Sequence, residues 1–469
     1  MSENRSFDAI VIGAGSGGVA CATALAQGGL HSVAVVERER VGGECAFWAC
    51  VPSKVLLRSE QPMTEGRRVP GSKPRPEEHP DFAPAAAWRT SMVDQYSDSN
   101  HASELAKAHV VLLRGTARIE RAGTVSIDGE EYFAENIVIA TGSTDQIPHI
   151  DGLDQCPYWT SRDATSAGNL PKRLVILGGG AVGIELGQMF ARFGAEIILI
   201  ESSSRILPNE SAGIAEIMTR ALERDGVTIS TGTKAINITC DDASVHIHLD
   251  NGKTCSGTKL LLATGRVARS TGLGLESVGI ALDEHGNIAI DEACRAAQGV
   301  YAVGDITGKA MFTHAAKYQS RIAAAAILGQ PAHASYDAVP RCIYTDPEVA
   351  AVGKTLEQAQ AAGIDAVCGR VTFDEITRPA LHFEDVAAGA VELVGDNTKR
   401  RLVGGWIVGP MASEMTGFLS MAIRTGADFD ALLDIIQPYP TFSEAFYVAV
   451  DRLTKADARH GSPGSRWVI

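Results

Sequence analysis

The sequence predicts an α/β protein with two nucleotide-binding modules followed by an α+β domain, and three observations carry that prediction. A strand, glycine turn, helix, strand and acid occur in that order from Phe7 to Glu37, and the pattern returns 165 residues later from Arg173 to Glu201. Two near-identical strand ends, Ile137 to Ser143 (IVIATGS) and Leu260 to Arg266 (LLLATGR), each close one of these units. Beyond Pro331 the glycine fingerprints stop and strand-like and helix-like runs mix. At 469 residues the chain has room for about three domains.

In the first unit the apolar run Phe7 to Ile12 predicts a strand that stops at Gly13, Gly15 and Gly18, and Val19 to Ala26 reads as a helix. Gly13 permits the tight turn, Gly15 lets the backbone approach a pyrophosphate, and Gly18 lets helix and strand pack closely. The helix N-terminus is then placed to hold phosphates. A second strand, Val33 to Val36, ends in Glu37, nineteen residues past Gly18, where a carboxylate accepts hydrogen bonds from a ribose. This is the order of a Rossmann-like unit. The second copy supplies the strand Arg173 to Leu177, then Gly178, Gly180 and Gly183, a helix from Ala181 to Phe193, the strand Glu196 to Ile200, and Glu201. Two dinucleotides are implied, with Thr141, Gly142 and Gly265 in the Ala-Thr-Gly turns as further cofactor contacts.

A later strand, Gly299 to Val303, runs into Gly304 and Asp305, an acid at a strand tip pointed at a ligand, and a helix is expected from Thr313 to Leu328. From Tyr336 onward the strand-like runs Ala387 to Leu393 and Leu402 to Val408 and the helix-like runs Glu414 to Thr425 and Ser443 to Leu453 predict a separate α+β domain. The stretch Pro62 to Pro84 holds Pro62, Pro70, Pro74, Pro76, Pro80 and Pro84 among charges and reads as loop or linker.

Composition excludes several classes of function. Forty-two Lys and Arg against 56 Asp and Glu give a net charge of −14, so there is no basic field to hold nucleic acid. No membrane span is expected, because the longest apolar candidate, Leu174 to Ile200, is broken by Glu185, Arg192 and Glu196. Met1 to Ser6 is polar and leaves no room for a signal core, which predicts a cytoplasmic protein. Nine cysteines are too sparse and too odd a set for a secreted disulfide framework, and only Cys45 and Cys50 lie close in sequence. The other seven read as small buried hydrophobes.

Cys45 and Cys50 sit in Gly42 to Lys54, GGECAFWACVPSK. In an ideal helix residues five apart lie about 8.7 Å between Cα atoms, beyond the limit of about 7 Å for a disulfide, so the helix must deviate if they bond. Such a strained, exposed pair is labile and catalytic. The competing reading is a metal pair; zinc sites usually need a second Cys or His pair, and no partner cluster is evident in the sequence.

At these residues the chain resembles the flavin-dependent pyridine nucleotide-disulfide oxidoreductases. The resemblance rests on the first fingerprint, the C-x4-C-x-P-S-K motif, both Ala-Thr-Gly turns, the second fingerprint with Glu185, the tip at Asp305, and Tyr344 to Gly353 (YTDPEVAAVG). It implies FAD on a domain made of residues 1–150 and 269–335, NAD(P)H on residues 151–268, and a homodimer built through a dimerisation domain at 336–469. It further implies that Cys50 is the thiolate nearest the flavin, that Cys45 attacks the substrate, and that Lys54 and Glu185 pair beside the flavin's reactive edge.

The sequence also departs from that family. Relatives that act on thiol substrates end in a His-Pro-Thr-x-x-Glu-like motif whose His is the acid and base; here Gln437 to Glu444 reads QPYPTFSE, with Tyr439 in the place of that His. The resemblance places Tyr439 and Glu444 at the other subunit's Cys45, with a cis peptide at Tyr439–Pro440. No cysteine follows Cys368, which argues against mercury reduction. Phe47 and Trp48 are bulkier than usual between redox cysteines, either packing in the core or narrowing the disulfide face. His314 is read as structural. NADH is the favoured nucleotide because Glu201 bonds a ribose 2′-hydroxyl and repels a 2′-phosphate, with Arg205 as the one residue placed to reverse that. The expected activity is electron transfer from NAD(P)H through flavin and a Cys45–Cys50 disulfide to a small-molecule electron acceptor, quinone-like or a specialised sulfur metabolite. A dihydrolipoamide dehydrogenase-like reductase and a redox-sensing flavoprotein without turnover are the alternatives.

Overall fold

The computed structural model describes residues 5–72, 75, 78–383 and 389–457. Its first sheet runs in the order Arg295–Ala297, Val300–Ala302, Glu130–Ile139, Ser6–Ile12, Val33–Glu37 and Val110–Arg114. Ser6–Ile12 is parallel to both of its neighbours, which buries it on both faces and explains its unbroken apolar run. Ala9 and Val11 pack with the helices Ser16–Gln27 and Thr313–Ile327, and Ile10 and Ile12 pack with Ile119, Val125, Ile137 and Ile139.

The second module repeats the plan with a parallel sheet in the order Val227–Ser230, Glu196–Ile200, Arg173–Leu177 and Lys259–Leu262. The short strands Ser143–Asp145 and Arg266–Ala268 pair antiparallel where the chain leaves the first module and returns, so the second module is inserted into the first. After the return, Val300–Ala302 joins the first sheet parallel to Glu130–Ile139. The C-terminal domain is an antiparallel sheet, Pro340–Ile343, Glu348–Gly353, Arg401–Gly409, Ala390–Asp396 and Ala366–Thr372, backed by the helices Ala412–Thr425 and Glu444–Asp457. Ala387 and Ala388, the expected start of its fourth strand, lie outside the described residues. Among the described residues no helix is long and apolar enough to cross a membrane.

Two expectations need correction. The stretch Pro62 to Pro84 is helical at both ends, since Cys50–Arg68 runs through Pro62 and Phe82–Met92 contains Pro84, while the described residues between them, with Pro70 and Pro80, are non-helical as expected and Pro74 and Pro76 lie outside the described residues. Interior proline costs a helix about 3 kcal/mol. Here the opposite face buries Leu56 and Leu57 against Phe82, Ala85 and Ala86, and each fully buried leucine contributes about 1.5 to 3 kcal/mol. Pro84 sits in the first turn, where its missing N–H has no intrahelical partner to lose. Second, the remaining cysteines are not all isolated hydrophobes, because Cys156 and Cys240 form a disulfide across 84 residues that ties the turn Leu153–Gln155 to the strand Ala235–Cys240. Cys368 is exposed as well.

Candidate active site

The two glycine turns have the same geometry. Gly13 has φ +102°, and a Cβ there would lie 2.6 Å from Ala140 O; Gly178 has φ +112°, with the corresponding Cβ 2.2 Å from Ala263 O. A Cβ on Gly18 would fall 1.8 Å from Gly13 O, and one on Gly183 would fall 2.0 Å from Gly178 O, so helix and turn are in direct backbone contact in both modules. At Gly15 and Gly180 a Cβ would meet nothing within 4 Å, in front of the N-termini of Ser16–Gln27 and Ala181–Arg192. Free backbone N–H groups at a helix start beside open space fit a pyrophosphate.

The two acids also correspond. Glu37 Oε2 accepts from Ala14 N at 2.7 Å and Oε1 from Glu39 N at 2.7 Å, while Glu201 Oε2 accepts from Gly179 N at 2.7 Å and Oε1 from Ser203 N at 2.6 Å. Burial alone would raise the Glu201 pKa, yet the bonds from Ser203 and Gly179 outweigh it and hold the carboxyl below its ordinary value. Arg205 is tied to two carbonyls: Nη2 donates to Pro208 O at 3.1 Å and Glu210 O at 2.9 Å. Asp305 Oδ2 accepts from Ser143 Oγ at 2.5 Å, and Arg266 Nε donates to the same hydroxyl oxygen at 2.8 Å. Thr141 Oγ1 donates to Arg269 O at 2.9 Å, which leaves the hydroxyl oxygen free only to accept. Gly142 has φ +70° with open space at the Cβ position, whereas a Cβ on Gly265 would lie 3.1 Å from Gln146 Oε1.

The helix deviates between the two cysteines, as a bond between them would require. A five-residue helix, Gly43–Phe47, ends at Trp48, Ala49 takes φ −125° and ψ −95°, and a new helix starts at Cys50. Both cysteines are free and half-buried, and the hydrogen bond between their thiols is the main influence on the ionisation of each. That bond from Cys50 is the largest influence on Cys45 and, with Thr313, Ser16 and the charge of Lys317, outweighs burial to bring its pKa down to about 6. Cys50 is pushed up by the same bond and by burial, so the pair loses one proton readily and keeps the other. Cys50 Sγ lies 3.5 Å from Thr313 Oγ1, which brings the start of Thr313–Ile327 onto the dithiol.

Phe47 packs in the core, 1% exposed and edge-on to His101. Trp48 lies under the Arg162 guanidinium at 4.0 Å, and Arg162 in turn bonds Glu39 and Glu44. Glu44 also accepts from Arg269 Nη2 at 2.7 Å. This cluster beside Cys45 joins residues far apart in the chain and carries no motif, so sequence reasoning missed it.

Lys54 Nζ donates to Glu185 Oε2 at 2.8 Å and lies 4.6 Å from the Tyr344 ring centroid, and Glu185 Oε1 accepts from Tyr344 N at 2.8 Å. Tyr439–Pro440 is cis. Tyr439 is 70% exposed, and its hydroxyl donates to Thr377 Oγ1 at 3.1 Å, so within one chain it is not bonded to Glu444. Glu444 begins the helix Glu444–Asp457 and keeps Oε2 buried without a hydrogen-bond partner in the chain. His314 is stacked on Phe312 and bonds Pro340 O at 2.8 Å, a structural role.

Residues 7–320 match the family model described as pyridine nucleotide-disulphide oxidoreductase, and residues 339–450 match its dimerisation domain. A dihydrolipoyl dehydrogenase from Thermus scotoductus is 36% identical over 464 residues, 96% of this chain and 98% of that protein. A mercuric reductase from Bacillus cereus is 30% identical over 95% of this chain and 71% of its own length. Among solved structures, the HOCl-induced flavoprotein disulfide reductase RclA from Escherichia coli aligns with TM-score 0.83 and 27% identity over 95% of this chain and 99% of its own, and it has also been solved as a Cu(II) complex. Similarity of this extent, running through both nucleotide modules and the C-terminal domain, places the chain in the pyridine nucleotide-disulphide oxidoreductase family, whose enzymes use FAD and NAD(P)H.

Proposed function

We propose that this oxidoreductase takes electrons from NADH and delivers them, by way of the Cys45–Cys50 pair, to a quinone-like acceptor that needs no imidazole. FAD, held by the first glycine turn and Glu37, would supply the two-electron chemistry that links nicotinamide hydride to the disulfide. The chain's own part is to hold the pyrophosphate at Gly15, the ribose at Glu37, and a second dinucleotide at Gly180 and Glu201. Lys54, fixed by Glu185, places a cation at the flavin edge, where it stabilises added negative charge. Cys45 then supplies a thiolate at neutral pH.

The carrying observation is Tyr439. A phenol is a far poorer base than an imidazole near neutral pH, and the Tyr439 hydroxyl donates its hydrogen bond to Thr377 Oγ1. Among the described residues the hydrogen bonds that govern the two thiols come from Thr313, Ser16 and each other, with no histidine among them. An acceptor that draws its protons from water fits such a site, and lipoamide or glutathione disulfide fits it poorly. NADH oxidation assayed against quinones, lipoamide and glutathione disulfide is therefore expected to favour quinones by about a hundredfold in kcat/KM, and Tyr439→His is expected to raise lipoamide turnover about tenfold or more. Equal wild-type rates with lipoamide and quinones would instead establish a dihydrolipoyl dehydrogenase-like reductase.

A second reading is favoured by the RclA structure solved with Cu(II). A thiolate pair is a soft ligand suited to the Cu(I) product, and oxidation of one dithiol to a disulfide balances reduction of two Cu(II) ions with no proton delivered to the metal. NADH-dependent Cu(I), trapped by a Cu(I) chelator and lost in Cys45→Ser, would support it.

Nucleotide choice follows from Glu201 and Arg205. With the carboxylate at the ribose and the guanidinium held by Pro208 O and Glu210 O, kcat/KM is expected to favour NADH over NADPH by about tenfold or more. Glu201→Ala should narrow that ratio. A wild-type preference for NADPH would show that Arg205 leaves its carbonyl partners to meet the 2′-phosphate.

A further inference from the structure

The helix Ala181–Arg192 presents a buried polar stripe, Glu185, Gln188 and Arg192, at helical spacing and 7%, 0% and 4% exposed. A dinucleotide fingerprint requires none of the three. Arg192 Nη1 donates to Glu60 Oε1 at 3.1 Å and Oε2 at 3.3 Å, Nε to Asp225 Oδ2 at 3.0 Å, and Nη2 to Asp346 Oδ2 at 3.0 Å and Asp346 O at 3.2 Å. Gln188 completes the knot: Nε2 donates to Asp225 Oδ2 at 2.7 Å and Asp346 O at 2.8 Å, and Oε1 accepts from Asp346 N at 2.8 Å. One guanidinium thus gathers carboxylates from three parts of the molecule. Glu60 belongs to the helix that begins at Cys50 and carries Lys54, Asp225 to the second module, and Asp346 to the C-terminal domain two residues after Tyr344.

The spacing gives this knot a mechanical meaning. Lys54 and Glu60 are six residues apart on one helix, about 9 Å of rise, and Glu185 and Arg192 are seven apart on the other, about 10.5 Å. Lys54–Glu185 and Glu60–Arg192 are therefore two rungs of matched separation between the same pair of helices. The upper rung is the softer of the two, because the Lys54 side chain is 36% exposed although Glu185 is only 9% exposed, and an ion pair is worth less the more solvent it meets. In the lower rung both side chains are 3% exposed. A buried charge network is a poor device for stability alone, since apolar residues of equal size hold two helices as well or better; what it adds is registry.

We propose that Arg192 is a positioning residue for the nicotinamide half of the reaction: by clasping Glu60, Asp225 and Asp346 it fixes the helix bearing Cys50 and Lys54 against the nicotinamide module and so sets Lys54 at Glu185. The proposal rests on the reading that Lys54 and Glu185 flank the flavin. Loss of the clasp lets the redox helix slide or rotate about the softer rung, and displacement on the scale of an ångström is costly where hydride transfer depends on alignment.

Arg192→Lys in the flavin-loaded dimer tests this, because it keeps the buried charge and removes the fork that reaches three partners. Flavin reduction by NADH, followed by stopped-flow absorbance, is expected to slow about tenfold or more while reoxidation by a quinone keeps its wild-type rate. Amide hydrogen exchange from Lys54 to Glu60 is expected to rise about tenfold in the same protein. Arg192→Met combined with Glu60→Gln removes the pair together and should give the same split if the lysine variant does not fold. Any other pattern overturns the proposal, including unchanged flavin reduction, unchanged exchange, or equal loss of both half-reactions with a lowered Tm. Lys54→Met separates the two readings: wild-type flavin reduction in that variant would sink the role given to Lys54, whereas the exchange change in Arg192→Lys would still report the clasp.

Discussion

Cys45→Ser is expected to lower acceptor reduction by about a thousandfold or more while NADH still reduces the bound flavin at close to the wild-type rate. The asymmetry follows from the position of the dithiol. Cys45 shares a hydrogen bond with Cys50, lies near the hydroxyls of Thr313 and Ser16, and feels Lys317, which together bring its pKa down to about 6. At pH 7.5 it is mainly thiolate, and a serine hydroxyl in the same place neither ionises nor forms a disulfide. The same cause predicts a pH profile: in the reduced enzyme, alkylation of Cys45 by iodoacetamide should be slow below pH 6, rise through a midpoint near 6 and level off above, against about 8.5 for a free thiol. Lys317→Met removes the one permanent cation in that list and should move the midpoint upward. Turnover of Cys45→Ser within tenfold of wild type would show that the acceptor takes electrons directly from the flavin and that the cysteines idle.

What the sequence disclosed divides by range. The two glycine turns were legible because their chemistry is local: the strand Arg173–Leu177 and the strand Glu196–Ile200 begin and end where the apolar runs do, and the first expected strand differs by one residue. Glycine alone tolerates φ near +100° and a Cβ-free approach to a carbonyl, so composition and geometry coincide there. The break between Gly43–Phe47 and Cys50–Arg68 was legible in part, since a bond between residues five apart would require some deviation from an ideal helix. Pro62 misled because local propensity pointed to a loop while the burial of Leu56 and Leu57, a tertiary fact, decided for helix. Cys156 and Cys240, and Arg192 with Glu60, are brought together only by the packing of separate elements, 84 and 132 residues apart. No period or motif in one sequence encodes such a meeting. Lys54 with Glu185 is equally distant, 131 residues, and became visible only through resemblance to a family.

The first glycine turn yields the second large effect, because two of its residues should lose the same cofactor for opposite reasons. Gly18→Ala places a Cβ 1.8 Å from Gly13 O, a backbone atom that no rotamer change moves aside. The helix Ser16–Gln27 must shift off the strand, an overpacking that costs about 1 to 3 kcal/mol and distorts the turn itself. Gly15 has φ −72° and ψ −174°, a conformation alanine adopts freely, and its Cβ would meet no protein atom within 4 Å. Gly15→Ala should therefore leave the apoprotein within about 1 kcal/mol of wild type. The new methyl instead fills the space in front of the helix N-terminus where a pyrophosphate oxygen has to approach the backbone. Both variants are expected to be purified with less than about a tenth of the wild-type flavin per chain, read from the absorbance of the yellow protein. Only Gly18→Ala is expected to lower the Tm of the flavin-free protein. Full flavin in Gly15→Ala would mean that the phosphates do not pass in front of this helix, and the assignment of Gly13, Gly15 and Gly18 to the first dinucleotide would fall with it.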